Sequence, residues 1–251
     1  VPRMILCIDS GNSRIKWGLH GDGGWLETAT VDHADSARMA DLPQRLPMPD
    51  CVMLANVAGE VARAAIREAL APWLPVMCEA EATAAAGGVT NLYENPARLG
   101  VDRWCALIGT RTLTAAPCVV VMAGTATTVD SLAGDGCFLG GLILPGLDLM
   151  RRSLARDTAA LSLAAGKYAV HPRTTDDAIT SGCIEAQVGA IERACARLGA
   201  EAHCLLSGGA AAVIGEHLGV AHTLVANLVL EGLLQLAADE PTGYAAGKNS
   251  G

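Results

Sequence analysis

The sequence predicts an α/β fold in which one strand–turn–strand unit is present twice. Two apolar runs suited to buried strands, MILCID and CVVVMA, are each followed at once by a glycine turn, at Gly11 and Gly124. A Gly-Asp-Gly turn then follows each of them after the same number of residues, at 21–23 and 134–136. These matched positions favour a duplicated unit; two unrelated glycine hairpins are the alternative.

Each half continues with segments of helical periodicity, so that strands and helices mix along the chain. A Thr-Ala-Ala-Pro stretch at 114–117 separates the halves, which predicts one domain over residues 4–115 and a second over 116–240. Shorter helices are expected after Pro145 and after Gly209. The longer predicted helices cover residues 58–72, 101–112, 174–198 and 227–238.

Composition excludes several classes of protein. The 251 residues carry 18 Lys and Arg against 26 Asp and Glu, a formal net charge of −8, and 51% of them are hydrophobic. An apolar fraction this high excludes a disordered chain. An acidic chain without a run of Lys and Arg lacks the positive surface that phosphate contacts need, so no nucleic-acid partner is expected. No stretch reaches about 18 uncharged apolar residues, so no membrane-spanning helix is expected.

Nine cysteines are spread singly through apolar surroundings, with no C-x-x-C pair. An odd, scattered set is not typical of a disulfide framework or of a zinc site. These residues are predicted to be small buried hydrophobic side chains in a protein of the reducing cytoplasm.

The two glycine turns are predicted to bind the phosphate groups of a nucleotide held between the halves. Glycine lets backbone N–H groups approach phosphate oxygens closely. Lys16 would add a positive charge, and Asp9, at the end of the first strand, is suited to hold Mg²⁺ directly or through water. Gly208 and Gly209 follow a later strand and open a helix whose N-terminus would also attract phosphate. Neighbouring hydroxyl and amide donors are Asn12, Ser13, Thr125, Thr127 and Thr128. A tight hairpin with a solvated lysine is the simpler interpretation of each turn alone.

Competing motifs are absent from the sequence. Gly166-Lys167 is followed by Tyr168, so no G-x-x-x-x-G-K-[ST] phosphate loop is present, and no G-x-G-x-x-G follows a strand. The H-E-x-x-H and G-x-S-x-G motifs are missing, which disfavours a zinc protease and a serine hydrolase.

Six segments, in order from residue 4 to about 235, together carry a family resemblance. They are Asp9-Ser10-Gly11-Asn12-Ser13-Arg14-Ile15-Lys16, Gly100-Val101-Asp102-Arg103, Gly124-Thr125-Ala126-Thr127-Thr128-Val129-Asp130, Thr175, Ser207-Gly208-Gly209 and residues 227–233. This set resembles the phosphate, substrate and nucleotide motifs of the type III pantothenate kinases. That family belongs to the acetate and sugar kinase, Hsp70 and actin superfamily, whose folds are duplicated ribonuclease-H-like domains.

The resemblance implies that ATP, with Mg²⁺, phosphorylates the primary hydroxyl of pantothenate, the first step towards coenzyme A. It makes Asp102 the proton acceptor that faces this alcohol, orienting it first and taking its proton late. It also implies a homodimer. The residues implied to contact pantothenate are Tyr93, Gly100, Val101, Asp102, Arg103 and Thr175. Without the other motifs, the Asp-Arg pair could be a helix cap with a surface charge, and Tyr93 could serve packing alone.

One position departs from the family pattern. Relatives carry an aspartate two residues before the second Gly-Thr, associated with a monovalent cation such as K⁺ or NH₄⁺, whereas this chain has Met122, the internal counterpart of Asp9. A thioether is a poor ligand for a hard cation. The cation is therefore expected to bind elsewhere or not at this position.

Two other functions stay open on the sequence alone. The chain could be a nucleotide-binding accessory or regulatory protein that kept the fold without useful catalysis. It could also be a sugar or acetate kinase, because the phosphate turns are common to the superfamily and only the segment 93–103 indicates pantothenate.

Overall fold

A computed structural model describes residues 3–158 and 166–239, and the chain divides into two compact units. Residues 1–114 and 228–251 belong to the first unit, and residues 115–227 to the second. The predicted boundary near 115 coincides with the first crossing of the chain between units. The last helix differs from the prediction, because it belongs to the first unit rather than the second.

The first unit contains a mixed sheet with the strand order β3-β2-β1-β4-β5. The first three strands are antiparallel neighbours joined by the predicted turns, whereas β4 and β5 are parallel to β1. The strands are β1 (Ile5–Ser10), β2 (Arg14–Gly21), β3 (Gly24–Asp32), β4 (Cys51–Asn56) and β5 (Met77–Glu79). Their buried face forms a core that includes Leu6, Ile8 and Trp17.

Short helices and a small hairpin complete the chain of the first unit up to residue 114. The helices are α1 (Leu42–Arg45), α2 (Glu60–Ala69) and α3 (Val101–Leu113), with 3-10 turns at His33–Asp41, Ala71–Val76 and Pro96–Arg98. The hairpin pairs β6 (Ala85–Ala86) with β7 (Val89–Asn91). The chain from this hairpin to α3 carries the segment that the sequence associates with pantothenate.

The second unit repeats the strand order of the first. Its strands follow the order β10-β9-β8-β11-β12, with β8, β9 and β10 antiparallel and β11 and β12 parallel to β8. They are β8 (Cys118–Ala123), β9 (Ala126–Leu132), β10 (Cys137–Pro145), β11 (His203–Ser207) and β12 (His222–Leu224). The duplication that the glycine spacing predicts is therefore confirmed.

Three helices accompany the second sheet. They are α4 (Leu147–Asp157), α5 (Thr175–Leu198) and α6 (Ala211–Gly215). One face of α5 packs on the sheet through Ile184, Val188 and Ile191, which share a core with Val119 and Val121 of β8. The predicted continuation of α4 falls partly on 159–165, outside the described residues.

The last helix, α7 (Leu228–Asp239), packs against α3 in the first unit. Two glycines permit this close approach. A side chain at Gly109 would collide with the Leu228 carbonyl, and one at Gly232 with the Cys105 carbonyl. Among the described helices, none has the length and apolar composition that a membrane crossing requires. Most of the nine cysteines are buried, as expected of small hydrophobic side chains.

Candidate active site

The first turn joins β1 to β2 one residue after Asp9. The backbone N–H of Gly11 donates to the Arg14 carbonyl at 3.1 Å, and Asp9 lies opposite Lys16 in the antiparallel register. Asn12 and Ser13 are exposed at the tip of the turn, where their side chains can meet a ligand.

Three other residues of the predicted phosphate motif, Ser10, Ile15 and Arg14, are buried or paired within the first unit. Ser10 and Ile15 are fully buried, so only their backbone faces the turn. Arg14 is exposed and pairs with Asp32 at 3.0 Å. The part of this motif that is open to a ligand is therefore its tip together with Asp9 and Lys16.

A side chain absent from the sequence prediction supports this turn. Nε2 of His33, which follows β3, lies 2.6 Å from the Gly11 carbonyl oxygen. Because a carbonyl oxygen only accepts hydrogen bonds, Nε2 carries the proton in this contact. A lone histidine after a strand carries no sequence signal for such a role, since only the tertiary structure brings it to the turn.

Asp102 stands in the first turn of α3, where Gly100 is the N-cap residue. Its Oδ1 accepts a hydrogen bond of 2.8 Å from the Arg103 backbone N–H. A Cβ atom at Gly100 would lie 2.7 Å from this oxygen, so the glycine leaves room for the carboxylate. Burial raises the pKa of Asp102, while the hydrogen bond and charge of Arg103 oppose the shift.

Asp9 and Asp102 influence one another electrostatically within the first unit. Burial, and after it the Asp102 carboxylate, raise the pKa of Asp9 to about 7, and Lys16 opposes this rise. Burial and the charges of both carboxylates raise the pKa of the Cys105 thiol. The end of β1 and the start of α3 thus bring two carboxylates together, with a buried neutral thiol close to both.

Arg103 and Tyr93 form a second polar group beside Asp102. The Arg103 side chain is 5% exposed, and its Nη1 donates to the Tyr93 hydroxyl at 3.0 Å. The guanidinium carbon also lies 5.7 Å from the centre of the Tyr93 ring. Sequence motifs ten residues apart are therefore joined by a direct contact.

The second turn joins β8 to β9 and is one residue shorter than the first. Ser10 pairs with Ile15 across the first turn, whereas Ala123 pairs with Thr127 across the second. The Gly124 N–H donates to the Ala126 carbonyl at 3.0 Å, and Thr125 is exposed. The sequence match of the two halves is thus interrupted by one residue at this point.

Two further glycines pack against the second turn. The Gly146 N–H donates to the Thr125 carbonyl at 2.9 Å, and a side chain at Gly146 would collide with the Gly124 carbonyl. Gly208 has φ of +104°, and a side chain there would collide with the Ala123 carbonyl. Gly146 is a second residue that sequence reasoning missed, although its Pro-Gly pair before a helix marks a turn.

The segment after β11 differs in part from its prediction. Gly209 is exposed with open space around it, which suits a backbone contact to a ligand. The helix that follows, α6, has only 5 residues. Its dipole is therefore weaker than the prediction of a phosphate-binding helix N-terminus assumed, because few peptide units are aligned.

Thr175 begins α5 in the second unit, directly after the capping residue Thr174. It lines a largely apolar groove of about 420 Å³ between α4 and α5, together with Met150, Leu154, Ala178, Ile179, Gly182 and Cys183. The structure thus assigns Thr175 to one unit and the group around Asp102 to the other.

Met122 lies between two buried hydroxyl groups in the second sheet. Ser207 and Thr128 are its neighbours in the register on either side, so the three side chains share one face. The two hydroxyl oxygens have no hydrogen-bond partner among the described residues. A carboxylate is replaced here by a thioether, so this position does not fit a hard cation.

The residues at the end of β1 fit a magnesium ion that arrives with a nucleotide. Asp9 offers a carboxylate, and the nearby charge of Asp102 makes a cation favourable there. Among the described residues, no three or more His, Cys, Asp and Glu side chains form a self-sufficient metal site. Mg²⁺ commonly binds through one or two carboxylates together with substrate phosphates and water.

Comparison with known proteins shows the family to which the chain belongs. Residues 5–197 match the family described as "Type III pantothenate kinase". The type III pantothenate kinase of Dechloromonas aromatica is 57% identical over 235 residues, which cover 93% of this chain and 99% of that protein.

Solved structures with similar folds have much lower sequence identity. A Baf family protein from Campylobacter jejuni, described as a candidate transcriptional activator, superposes with a TM-score of 0.65 at 20% identity, covering 93% of this chain and 97% of that one. A Sinorhizobium meliloti protein described as a candidate 2-dehydro-3-deoxygalactonokinase gives 0.55 at 14% identity, covering 93% and 98%. At such identities the likeness shows the fold alone.

Proposed function

The chain belongs to the type III pantothenate kinase family, and from this premise we propose how its own residues carry out the reaction. Its function is the phosphorylation of pantothenate by ATP, the first step of coenzyme A biosynthesis. Phosphoryl transfer depends mainly on the positions of the groups and on stabilisation of charge, so each residue is assigned by its place and its electrostatics.

Asp102 is proposed to orient the pantothenate hydroxyl and to accept its proton. The Arg103 backbone N–H holds one carboxylate oxygen and so fixes the side chain. The other oxygen is left to meet the substrate hydroxyl. Burial raises the pKa of Asp102, which makes the carboxylate a better base than a solvated aspartate near neutral pH. The proton would move late, as the bond to phosphorus forms.

Arg103 and Tyr93 are proposed to bind pantothenate, together with the Gly100–Val101 backbone. Pantothenate carries a carboxylate and amide oxygens, which a guanidinium with several fixed donors can bind. The Arg103–Tyr93 contact supports this role, because it gives both side chains one defined arrangement. Thr175 is proposed as a further hydrogen-bond donor to the substrate.

The two glycine turns are proposed to bind phosphate oxygens of ATP. The first would act through Gly11, Asn12, Ser13 and Lys16, and the second through Gly124 and Thr125, with Gly208 and Gly209 beside it. Asp9 would hold Mg²⁺, directly or through water. When bound, the ion would neutralise charge on the phosphate oxygens.

The reaction is proposed not to need a monovalent cation at Met122. A thioether scarcely binds hard cations, so initial rates that are the same within about twofold in potassium, ammonium and a bulky organic cation at equal ionic strength would show that no such ion is needed. A strict requirement for potassium would show that other ligands hold the ion.

A homodimer is also proposed, as the family resemblance implies. The second unit exposes several aliphatic side chains that a contact between two copies would cover. They are Leu139, Leu142 and Ile143 of β10 and Leu149 of α4. Light scattering on the purified protein would measure the mass.

The observation that carries the proposal is the fixed arrangement at the start of α3, where the Arg103 N–H holds the Asp102 carboxylate and the Arg103 guanidinium donates to Tyr93. The test is formation of phosphopantothenate from ATP and pantothenate, followed by mass spectrometry and by ADP release. Asp102→Asn should lower kcat by about 100-fold or more, the range expected for loss of a general base, with nearly unchanged ATP affinity.

Asp148→Asn is the matched control, because Asp148 is also the second residue of a helix but is exposed. It should leave kcat unchanged. Unchanged turnover in Asp102→Asn would remove Asp102 from the mechanism. Release of ADP with other alcohols but not pantothenate would indicate a sugar or acetate kinase, and no turnover at all an accessory protein.

A further inference from the structure

We propose that Asn91 is a positioning residue for the pantothenate site, acting through Tyr93 rather than by touching substrate. Asn91 ends β7, two residues before Tyr93. The inference rests on the proposed function in one respect, the role of Tyr93 in binding pantothenate. The contacts around Asn91 are independent of that role.

Asn91 is a buried polar residue whose amide is fully used. It is 5% exposed, and its Nδ2 donates to the carbonyl oxygens of Thr83 and Pro96, each at 3.2 Å. Its Oδ1 accepts a hydrogen bond of 3.1 Å from the Tyr93 backbone N–H. One side chain thus joins the segment before the hairpin, the residue that carries the phenol, and the turn that leads to α3.

These bonds fix the backbone from which Tyr93 reaches Arg103. The loop 92–95 starts beside Asn91 and ends at Pro96, so the amide clamps both of its ends. The Tyr93 hydroxyl then accepts from Nη1 of Arg103 at 3.0 Å. Loosening the clamp would therefore change the place of the phenol and the orientation of the guanidinium without removing either group.

The position requires an amide rather than a carboxylate. Two carbonyl oxygens need a donor and one N–H needs an acceptor, and only a side chain with both can satisfy all three. An aspartate has the same size, yet it would set an oxygen 3.2 Å from two other oxygens. Burial makes this mismatch costly, because water cannot take the place of the missing donor.

The test compares the same substitution at two asparagines of one loop. Asn91→Asp should raise the KM for pantothenate about tenfold, with kcat and the KM for ATP within about twofold of the native values, because one or two hydrogen bonds are lost. Asn95→Asp is the control. Asn95 is exposed, and its Oδ1 only accepts, from the Ala97 N–H at 3.2 Å, a bond that a carboxylate keeps. It should leave all three constants unchanged.

A merely structural role would lower the melting temperature and the amount of active enzyme without a selective change in the KM for pantothenate. If Asn91→Asp is not recovered folded, Asn91→Ser removes the two donor contacts without adding an opposed oxygen, and the same selective rise is expected. Melting curves of each variant show whether the folded state is retained.

Tyr93→Phe and the double variant separate the inference from the proposed function. Tyr93→Phe should raise the KM for pantothenate, and adding Asn91→Asp should raise it little further, since both changes act on the same phenol. If the KM for pantothenate rises in Tyr93→Phe but not in Asn91→Asp, or if the two effects are fully additive, only the role of Asn91 is overturned. An unchanged KM in Tyr93→Phe would overturn the proposed role of Tyr93, and the inference with it.

Discussion

The turns at Gly11 and Gly124 occupy the same place in two copies of one sheet, yet different groups hold them. In the first unit a side chain does so, because the His33 imidazole donates to the Gly11 carbonyl at 2.6 Å. In the second unit backbone does so, because the Gly146 N–H donates to the Thr125 carbonyl at 2.9 Å. In each unit the donor comes from the segment that follows the third strand of the antiparallel ribbon, which is β3 in the first unit and β10 in the second.

The strand ends before the turns differ in charge. Asp9, the penultimate residue of β1, places a carboxylate opposite Lys16, whereas Met122 stands opposite Thr128 at the matching point of β8. The first copy thus carries the charges, and the second is built from close contacts between backbone segments. A duplicated fold can keep its hydrogen-bonded framework while the two copies take separate chemical tasks.

The largest expected effect tests the backbone packing of the second turn. Gly146→Ala should lower the free energy of unfolding by about 2 kcal/mol and weaken ATP binding, because its methyl group would collide with the Gly124 carbonyl. Urea unfolding and nucleotide titration would measure both.

Gly189→Ala is the control, because this glycine lies in the middle of α5 with open space around it. Alanine should stabilise the helix there by a few tenths of a kcal/mol to about 1 kcal/mol. Equal stability of the Gly146 and Gly189 variants would contradict the packing account.

The next effect tests the charge in the first unit. The pKa of Asp9 is raised to about 7, so its contribution to stability is fully present below the pKa of the unfolded chain and is lost as the pH rises through 7. Without ATP and Mg²⁺, the Asp9→Asn protein should therefore have a free energy of unfolding about 1–2 kcal/mol larger than that of the native protein at pH 8. This figure is smaller than the full pKa shift would give, because Asp9 is partly exposed.

The difference should shrink as the pH falls below 7 and should vanish below the pKa of the unfolded chain, where the native carboxyl is protonated in both states. Denaturant unfolding from about pH 3 to pH 8 measures the difference, with Asp22→Asn, in an exposed hairpin turn, as the matched control variant. A native protein that is more stable than Asp9→Asn at pH 8 would show that the carboxylate is not destabilised in the folded state.

The smallest effect concerns the side-chain support of the first turn. His33→Ala removes one hydrogen bond, worth about 1 kcal/mol, so the KM for ATP should rise about threefold to fivefold with little change in the KM for pantothenate. His171→Ala, an exposed histidine outside the turns, should change neither constant. If His33→Ala weakened ATP binding as much as Gly146→Ala, the contrast between the two turns would be removed.

Local patterns in the sequence were sufficient for the strands of the two antiparallel ribbons, the glycine turns and the order of motifs, whereas β4, β6, β7 and β12 were not predicted. Apolar alternation and glycine at a sharp turn depend on neighbouring residues, so the ribbon β1-β2-β3 and its copy could be predicted, whereas the role of Asp102 follows only from the family resemblance. The sequence match of the two halves was wrong by one residue at the turn, because an ungapped comparison cannot see which residues pair across it.

The sequence by itself determined a duplicated α/β chain with kinase motifs, because short-range periodicity and turn chemistry specify such elements. Only the tertiary structure decided that α7 lies on α3, that the Asp102 carboxylate raises the pKa of Asp9, and that His33 and Gly146 donate to the two turns. The reason is physical. These contacts join residues far apart in the chain, and they depend on how whole elements pack, which no local pattern records.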